Sequence, residues 1–149
     1  MKRYLPVILT LPFFILLTRL INRDFYYDEM YSLVHYILVP ITTTTGEYST
    51  LNNHFFYSAI NNVLMTGRSL HWILEHPWYI RIPQVACVIT TIIYVYKIGR
   101  EQYTRRIAIV AANIMITSLP FYYYAVQIRG YGLSVMFATM LLYYSRRAI

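Results

Sequence analysis

Predominantly apolar stretches of near-membrane length alternate along this chain with short basic turns, and one long polar segment interrupts them. Residues 4–21 form the first stretch, preceded by Lys2 and Arg3. As a helix it is long enough to cross a hydrocarbon core of about 30 Å. Asn22-Arg23-Asp24-Phe25 follows, without the small-x-small pattern of a cleavage site, so the stretch is expected to be a retained anchor rather than a cleaved signal. Residues 82–98 and 107–124 make a second and a third span, the third with Pro120 near its far end. The fourth run, Tyr131 to Tyr144, is short, and reaches membrane length only if its helix starts earlier, which gives an expected span of 128–145.

The long segment, residues 22–81, is different in kind. It holds Asp24, Asp28, Glu29, Glu47 and Glu75, five of the six acids, and all four histidines. Tyr26 to Val39 has helical periodicity and stops at Pro40, Thr42 to Thr45 with Gly46 reads as a β-branched connector, and Asn53 to Met65 is again amphipathic. Two interfacial helices joined by a loop are the expectation.

Composition agrees with this pattern. Of 149 residues 58% are hydrophobic, 17% aromatic and only 13% charged, against about 25% charged in a soluble domain, too few to cover a soluble surface. The expected fold is an all-α membrane protein, a single domain over 1–149 with about four transmembrane helices and interfacial helices in a long first outer loop. The net charge of +7 does not indicate nucleic acid, because Lys and Arg end apolar runs and form no basic face. Their distribution sets orientation. Lys2, Arg3, Lys97, Arg100, Arg105, Arg106, Arg146 and Arg147 fall on one side, and Arg23, Arg68, Arg81 and Arg129 on the other, so the N-terminus is expected in the cytoplasm and the acidic loop outside. Cys87 is the single cysteine and forms no intrachain disulfide. There is no internal repeat and no interdomain linker.

Three clusters could carry chemistry. In Tyr26-Tyr27-Asp28-Glu29-Met30-Tyr31-Ser32-Leu33-Val34-His35, a helix puts Asp28, Ser32 and His35 on one face with Glu29 beside them. Carboxylates among tyrosines can act as general bases or metal ligands, although two acids in a first turn are also ordinary partners of the helix dipole. In Asn52-Asn53-His54-Phe55-Phe56-Tyr57, His54 could meet a phosphate or a metal, and Asn is equally a common N-cap. His71 and His76 sit among Trp72 and Trp78, the composition of an interfacial belt. After the Pro120 break, Arg129 in Gln127-Ile128-Arg129-Gly130-Tyr131-Gly132 stands between apolar segments. An isolated cation there needs an anionic partner, and its planar fork suits phosphate oxygens, with snorkelling to lipid headgroups as the alternative.

Taken in order, Asp28-Glu29, then Asn53-His54-Phe55-Phe56-Tyr57, then Arg81-Ile82-Pro83, then Gln127-x-Arg129-x-Tyr131 resemble the GT-C glycosyltransferases. The pattern is similar to the branch of the dolichyl-phosphate-mannose protein mannosyltransferases and the lipid A aminoarabinose transferases. The resemblance implies the N-terminal architecture of that fold, with Asp28 as catalytic base or metal-associated acid and Glu29 beside it. It further implies that His54, Gln127, Arg129 and Tyr131 bind the donor phosphate, and that a divalent ion, if used, draws on Asp28, Glu29 and His54. Phe55-Phe56 replaces the family's Pro-Pro, and Gln84 stands where serine is usual. Family members carry many more membrane helices, so this chain is expected to be an N-terminal fragment, a truncated frame or half of a split enzyme.

The implied function is transfer of a sugar from a polyprenyl-phosphate carrier to a lipid, glycan or protein hydroxyl on the outer or lumenal face. Membrane lipids, the carrier and a C-terminal half or partner subunit are the expected partners. A different class is a non-catalytic membrane scaffold or lipid-binding subunit derived from such an enzyme. A small transporter is disfavoured, because no acid lies within an expected span as a proton relay requires.

Overall fold

The computed structural model describes Ile15, residues 17–46 and residues 54–148, apart from the Tyr122 side chain. Most of the expected span 4–21 lies outside the described residues, as do Glu47, Asn52 and Asn53. The rest is helical, with no strand among the described residues.

Helix α1 (Tyr27–Ser32) starts where Glu29 Oε2 accepts the Tyr26 amide at 2.9 Å and widens into a π-helical turn, Leu33–Ile37. That turn ends before Pro40, as the sequence predicts. A widened turn leaves backbone carbonyls without regular partners, and buried ones must be satisfied. Thr44 Oγ1 donates to Tyr36 O at 2.7 Å, and Asn62 Nδ2 donates to Ile37 O at 2.8 Å and Val39 O at 2.6 Å. Thr44 belongs to α2 (Ile41–Gly46), so the expected β-branched connector is a helix instead. Its hydroxyls find acceptors inside the fold, which offsets the weak helix propensity of threonine.

Helix α3 (Phe55–Met65) is inverted relative to a soluble amphipathic helix. Ser58 and Asn61 point inward with Tyr57, while Phe56 and Val63 are 73% and 68% exposed. Asn61 is tolerated inside because its Nδ2 donates to Tyr57 O at 2.9 Å. An outward apolar stripe beside inward amides suits surroundings less polar than water. Helix α4 (Leu70–Glu75) is capped by Ser69, whose Oγ accepts the Trp72 amide at 3.2 Å.

Helix α5 (Pro77–Gln102) opens with proline at its first turn, where the missing N–H costs nothing. It outruns the expected 82–98 span at both ends. At 26 residues it is about 39 Å long, and among the described residues it is the one helix long and apolar enough to cross a membrane. The expected third span is not one helix. Helix α6 (Arg105–Thr117) stops at Ser118, and α7 (Leu119–Tyr124) restarts beyond it. A continuous helix would need the N–H that Pro120 lacks and would drive its ring into the preceding turn. Helix α8 (Tyr131–Ser145) begins after the expected 128, because residues 125–130 form an irregular buried turn. Helices α6 and α8 are only about 20 and 22 Å long, so among the described residues one helix has full membrane length and two shorter helices pack beside it.

Helix α5 is the axis of the bundle and packs along both α6 and α8. Gly99 permits the first contact: a Cβ there would lie 2.8 Å from Ala108 Cα. Gly99→Ala should therefore lower stability by about 1–3 kcal/mol despite the better helix propensity of alanine. Gly46→Ala, facing open space, should cost nothing. Thermal unfolding in detergent checks the pair, and an unchanged Gly99→Ala midpoint would mean that α5 and α6 separate freely.

Candidate functional site

Two acids adjacent in sequence have separate environments. Glu29 is 1% exposed. Its Oε1 accepts the Ile128 amide at 2.9 Å, and its Oε2 accepts the Tyr26 amide and faces Arg81 Nη2 at 3.4 Å. Arg81, equally buried, turns Nη1 onto Leu20 O at 3.3 Å, Ile21 O at 3.0 Å and Arg23 O, and Nη2 onto Asp24 O at 3.4 Å, while its Nε has no partner among the described residues. Leu20 and Ile21 close the helical segment 17–21, and Arg23 and Asp24 belong to the turn that follows it. One ion pair thus ties the end of that helix, the start of α1, the 125–130 turn and α5 together.

Asp28 points the other way. Its side chain is 52% exposed and Oδ2 stands 3.2 Å from Arg129 Nη1, whose side chain is 12% exposed. Arg129 also lies over the Tyr131 ring, 5.3 Å from its centroid. The pair borders a polar cleft of about 340 Å³ walled by Tyr26, Tyr27, Tyr123, Tyr124 and Gln127. Tyr124 and Tyr131 also line a second, apolar pocket of about 450 Å³ between α5, α6, α7 and α8, with Val88, Met115, Phe121 and Val135. A polar cleft and a greasy pocket therefore share the Tyr124 ring as a common wall.

His54 precedes α3 and packs against the same turn. A Cβ on Gly130 would lie 3.1 Å from His54 Nδ1, and the imidazole meets Tyr131 edge-on at 5.0 Å. Its Nε2 is buried with no hydrogen-bond partner among the described residues. Burial, and secondarily the positive charge of Arg129, hold its pKa below the ordinary value, so the ring is neutral.

The fold therefore gathers Asp28, His54, Gln127, Arg129 and Tyr131 around residues 123–131, and places Glu29 beneath them as a buried support with both oxygens occupied. It does not gather the rest of the first motif. Asp28 and Ser32 keep their i, i+4 relation inside α1, where Ser32 is buried with its hydroxyl on Asp28 O at 3.0 Å, but the π turn displaces the i+7 position and leaves His35 exposed on the Tyr31 ring. Asp28, Glu29 and His54, the expected metal candidates, do not assemble a donor set: no group of three such side chains able to hold an ion occurs among the described residues. His76 stacks on Trp72 at 4.6 Å and Arg68 lies over the same ring at 4.4 Å, an aromatic belt as the composition suggests. Gln84 is marked by the sequence pattern only as a departure from the usual serine. It is fully buried, donates from Nε2 to Tyr124 O at 2.8 Å, and its amide fills the space that a Cβ on Gly132 would occupy, 2.2 Å away. The available signal was its spacing, three residues after Arg81 on the same face of an apolar helix.

Residues 69–149 match the family described as dolichyl-phosphate-mannose-protein mannosyltransferase. That is more than half of the chain, and the protein belongs to this family of GT-C glycosyltransferases. The matched segment contains Arg81, Gln84, Gln127, Arg129 and Tyr131, while Asp28, Glu29 and His54 precede it. No curated protein and no solved structure matches the chain.

Removing one member of the buried pair strands the other, so Arg81→Met should destabilise the protein by about 3–5 kcal/mol. Denaturant titration in micelles tests this, and a loss below about 1 kcal/mol, the range of a solvent-exposed pair, would contradict the buried tie. His54 contributes a pH term of fixed sign. Its folded pKa lies below the ordinary 6.5, so the contribution is complete above pH 6.5 and is lost as pH falls from there through the folded value. Stability should drop over that window in the parent protein, and His54→Gln should remove that component. Parallel pH curves for the two would contradict the assignment.

Proposed function

We propose that the protein transfers a sugar from a polyprenyl-phosphate carrier to an acceptor hydroxyl at the cleft between α1 and the 123–131 turn, on the outer or lumenal face of the membrane. The observation that carries this reading is the Asp28–Arg129 pair at the edge of a polar cleft that abuts an apolar pocket across Tyr124. Such a donor is an amphipath, and the two cavities offer an apolar space for isoprenoid and a cationic, hydroxyl-rich space for phosphate and sugar.

Arg129 faces the donor phosphate, and taking up that phosphate withdraws its Nη1 from Asp28. The Asp28 carboxylate is then free to accept the proton of the acceptor hydroxyl as the oxygen attacks the anomeric carbon. The bond from that carbon to the phosphate oxygen breaks, its electron pair stays on the phosphate, and the growing negative charge lies against the guanidinium. Neutral His54 adds no second cation, and its buried Nε2 accepts or donates one hydrogen bond in the same corner. Glu29 and Arg81 act through position, by fixing Asp28 relative to the turn.

The test is transfer from a polyprenyl-phosphate sugar in nanodiscs, with the complete polypeptide or a supplied C-terminal half. Asp28→Asn keeps the side-chain shape and should lower turnover about 100-fold or more, the scale of losing a general base, with little loss of stability. Arg129→Lys should weaken donor binding modestly, and Arg129→Gln by about 1.5–3 kcal/mol. Impermeant labelling of Tyr27→Cys in a Cys87→Ala background on intact cells reports the face. Full turnover by Asp28→Asn would remove it as base. Donor binding without any turnover in the parent protein would favour the lipid-binding subunit instead.

A further inference from the structure

The end of the bundle away from the cleft has an opposite electrostatic character. Near the cleft Arg81 pairs with Glu29 and Arg129 with Asp28, while Arg23 lies over Tyr26 and Arg68 over Trp72. At the far end, Lys97, Arg100, Arg105, Arg106, Arg146 and Arg147 share one described acid, Glu101. That acid is already committed, accepting from Tyr143 Oη at 2.9 Å and from Arg147 Nη2 at 2.8 Å. Arg105 and Arg106 occupy the first turn of α6 with no acid beside them, where like charges and the positive helix end oppose each other. The exposed cations outnumber the acid within their reach.

The adjoining surface is apolar. Ile92, Tyr96, Ile109, Ala112 and Ile116 line a groove of about 260 Å³ between α5 and α6. Helical spacing continues this groove into the cations: Arg100 lies four residues after Tyr96, and Arg105 four before Ile109. Tyr94 and Tyr144, hydroxyl to hydroxyl at 2.8 Å with Lys97 over the Tyr94 ring at 4.8 Å, set an aromatic rim at the same level, as at a membrane surface.

We propose that this groove and its basic end form a binding site for an anionic phospholipid, with one acyl chain between α5 and α6 and the phosphodiester among Lys97, Arg100, Arg105 and Arg106. The site is separate from the transferase cleft and does not depend on its chemistry. It requires only that this end of α5 meet a bilayer surface. Charge complementarity selects an anionic headgroup, and the groove selects a lipid over a free phosphate.

Native mass spectrometry of the protein released from phosphatidylcholine nanodiscs containing a minority of phosphatidylglycerol counts the retained anionic lipid. Retention should fall about fivefold for each arginine removed in Arg105→Gln and Arg106→Gln, as expected for about 1 kcal/mol per cation near the surface. Lysine at both positions should preserve it, and Arg68→Gln, at the other end, should leave it unchanged. Ala112→Phe should reduce retention by filling the groove with the charge intact, and the circular dichroism of each variant verifies its folding. Equal retention by the glutamine variants, or displacement by millimolar inorganic phosphate as effective as by lipid, would overturn the proposal.

Discussion

A glutamate and an arginine, each 1% exposed and 52 residues apart in the chain, hold the site end of this molecule together. Burying two charges is costly unless every remaining donor and acceptor is used, and here nearly all are. The Glu29 carboxylate takes two backbone amides as well as the guanidinium, and Arg81 takes the open carbonyls at the end of the first helix. The pair therefore does more than attract. It satisfies the chain ends of three segments that would otherwise carry orphan polar groups in an apolar setting. Its removal would release Asp28 and the 125–130 turn, the two walls of the cleft, from each other.

The rest of the architecture follows the same economy of buried polar groups. Thr44 and Asn62 take the carbonyls freed by the π turn, Gln84 takes the carbonyl of Tyr124 at the broken end of α7, and Asn61 bonds within its own helix. Apolar side chains such as Phe56, Val63, Leu119 and Leu141 are left on the outside. A soluble domain would reverse that arrangement, since the hydrophobic effect rewards apolar burial from water. Within a bilayer no such reward exists between helices, and packing of this kind uses close backbone approach, as at Gly99 against Ala108, and side chains seated on glycine, as the Gln84 amide on Gly132. These features fit the membrane-embedded character of the mannosyltransferase family.

The site has a division of labour between adjacent carboxylates. The buried one is fixed by backbone amides, and the exposed one is held by a single ion pair that an incoming anion can exchange. In the reaction proposed above, the cation assigned to the leaving phosphate is the one that pairs with Asp28. The two ends of α5 also differ, with the buried Arg81–Glu29 pair at one end and several basic residues around one described acid, Glu101, at the other.

Much of this was legible in one dimension. Helical class, a long apolar helix, expected over 82–98 and observed over 77–102, the Pro40 and Pro120 breaks and the belt of Trp72 and His76 follow from periodicity and backbone chemistry, and motif order names the candidates at residues 28, 29, 54, 127, 129 and 131. Those signals are local, or repeat at fixed spacing, so the sequence carries them directly. Three features belong to tertiary structure alone. Asp28 and Glu29 share composition and neighbourhood, and only packing decides that one is buried against Arg81 while the other faces solvent. The π turn separates Ser32 from His35 because Thr44 and Asn62, distant in sequence, accept the cost of widening the helix. Gln84 becomes a strut only when Gly132 leaves room for its amide. In each case the deciding energy is the desolvation of a polar group, and whether that cost is met depends on a partner that the local sequence does not contain.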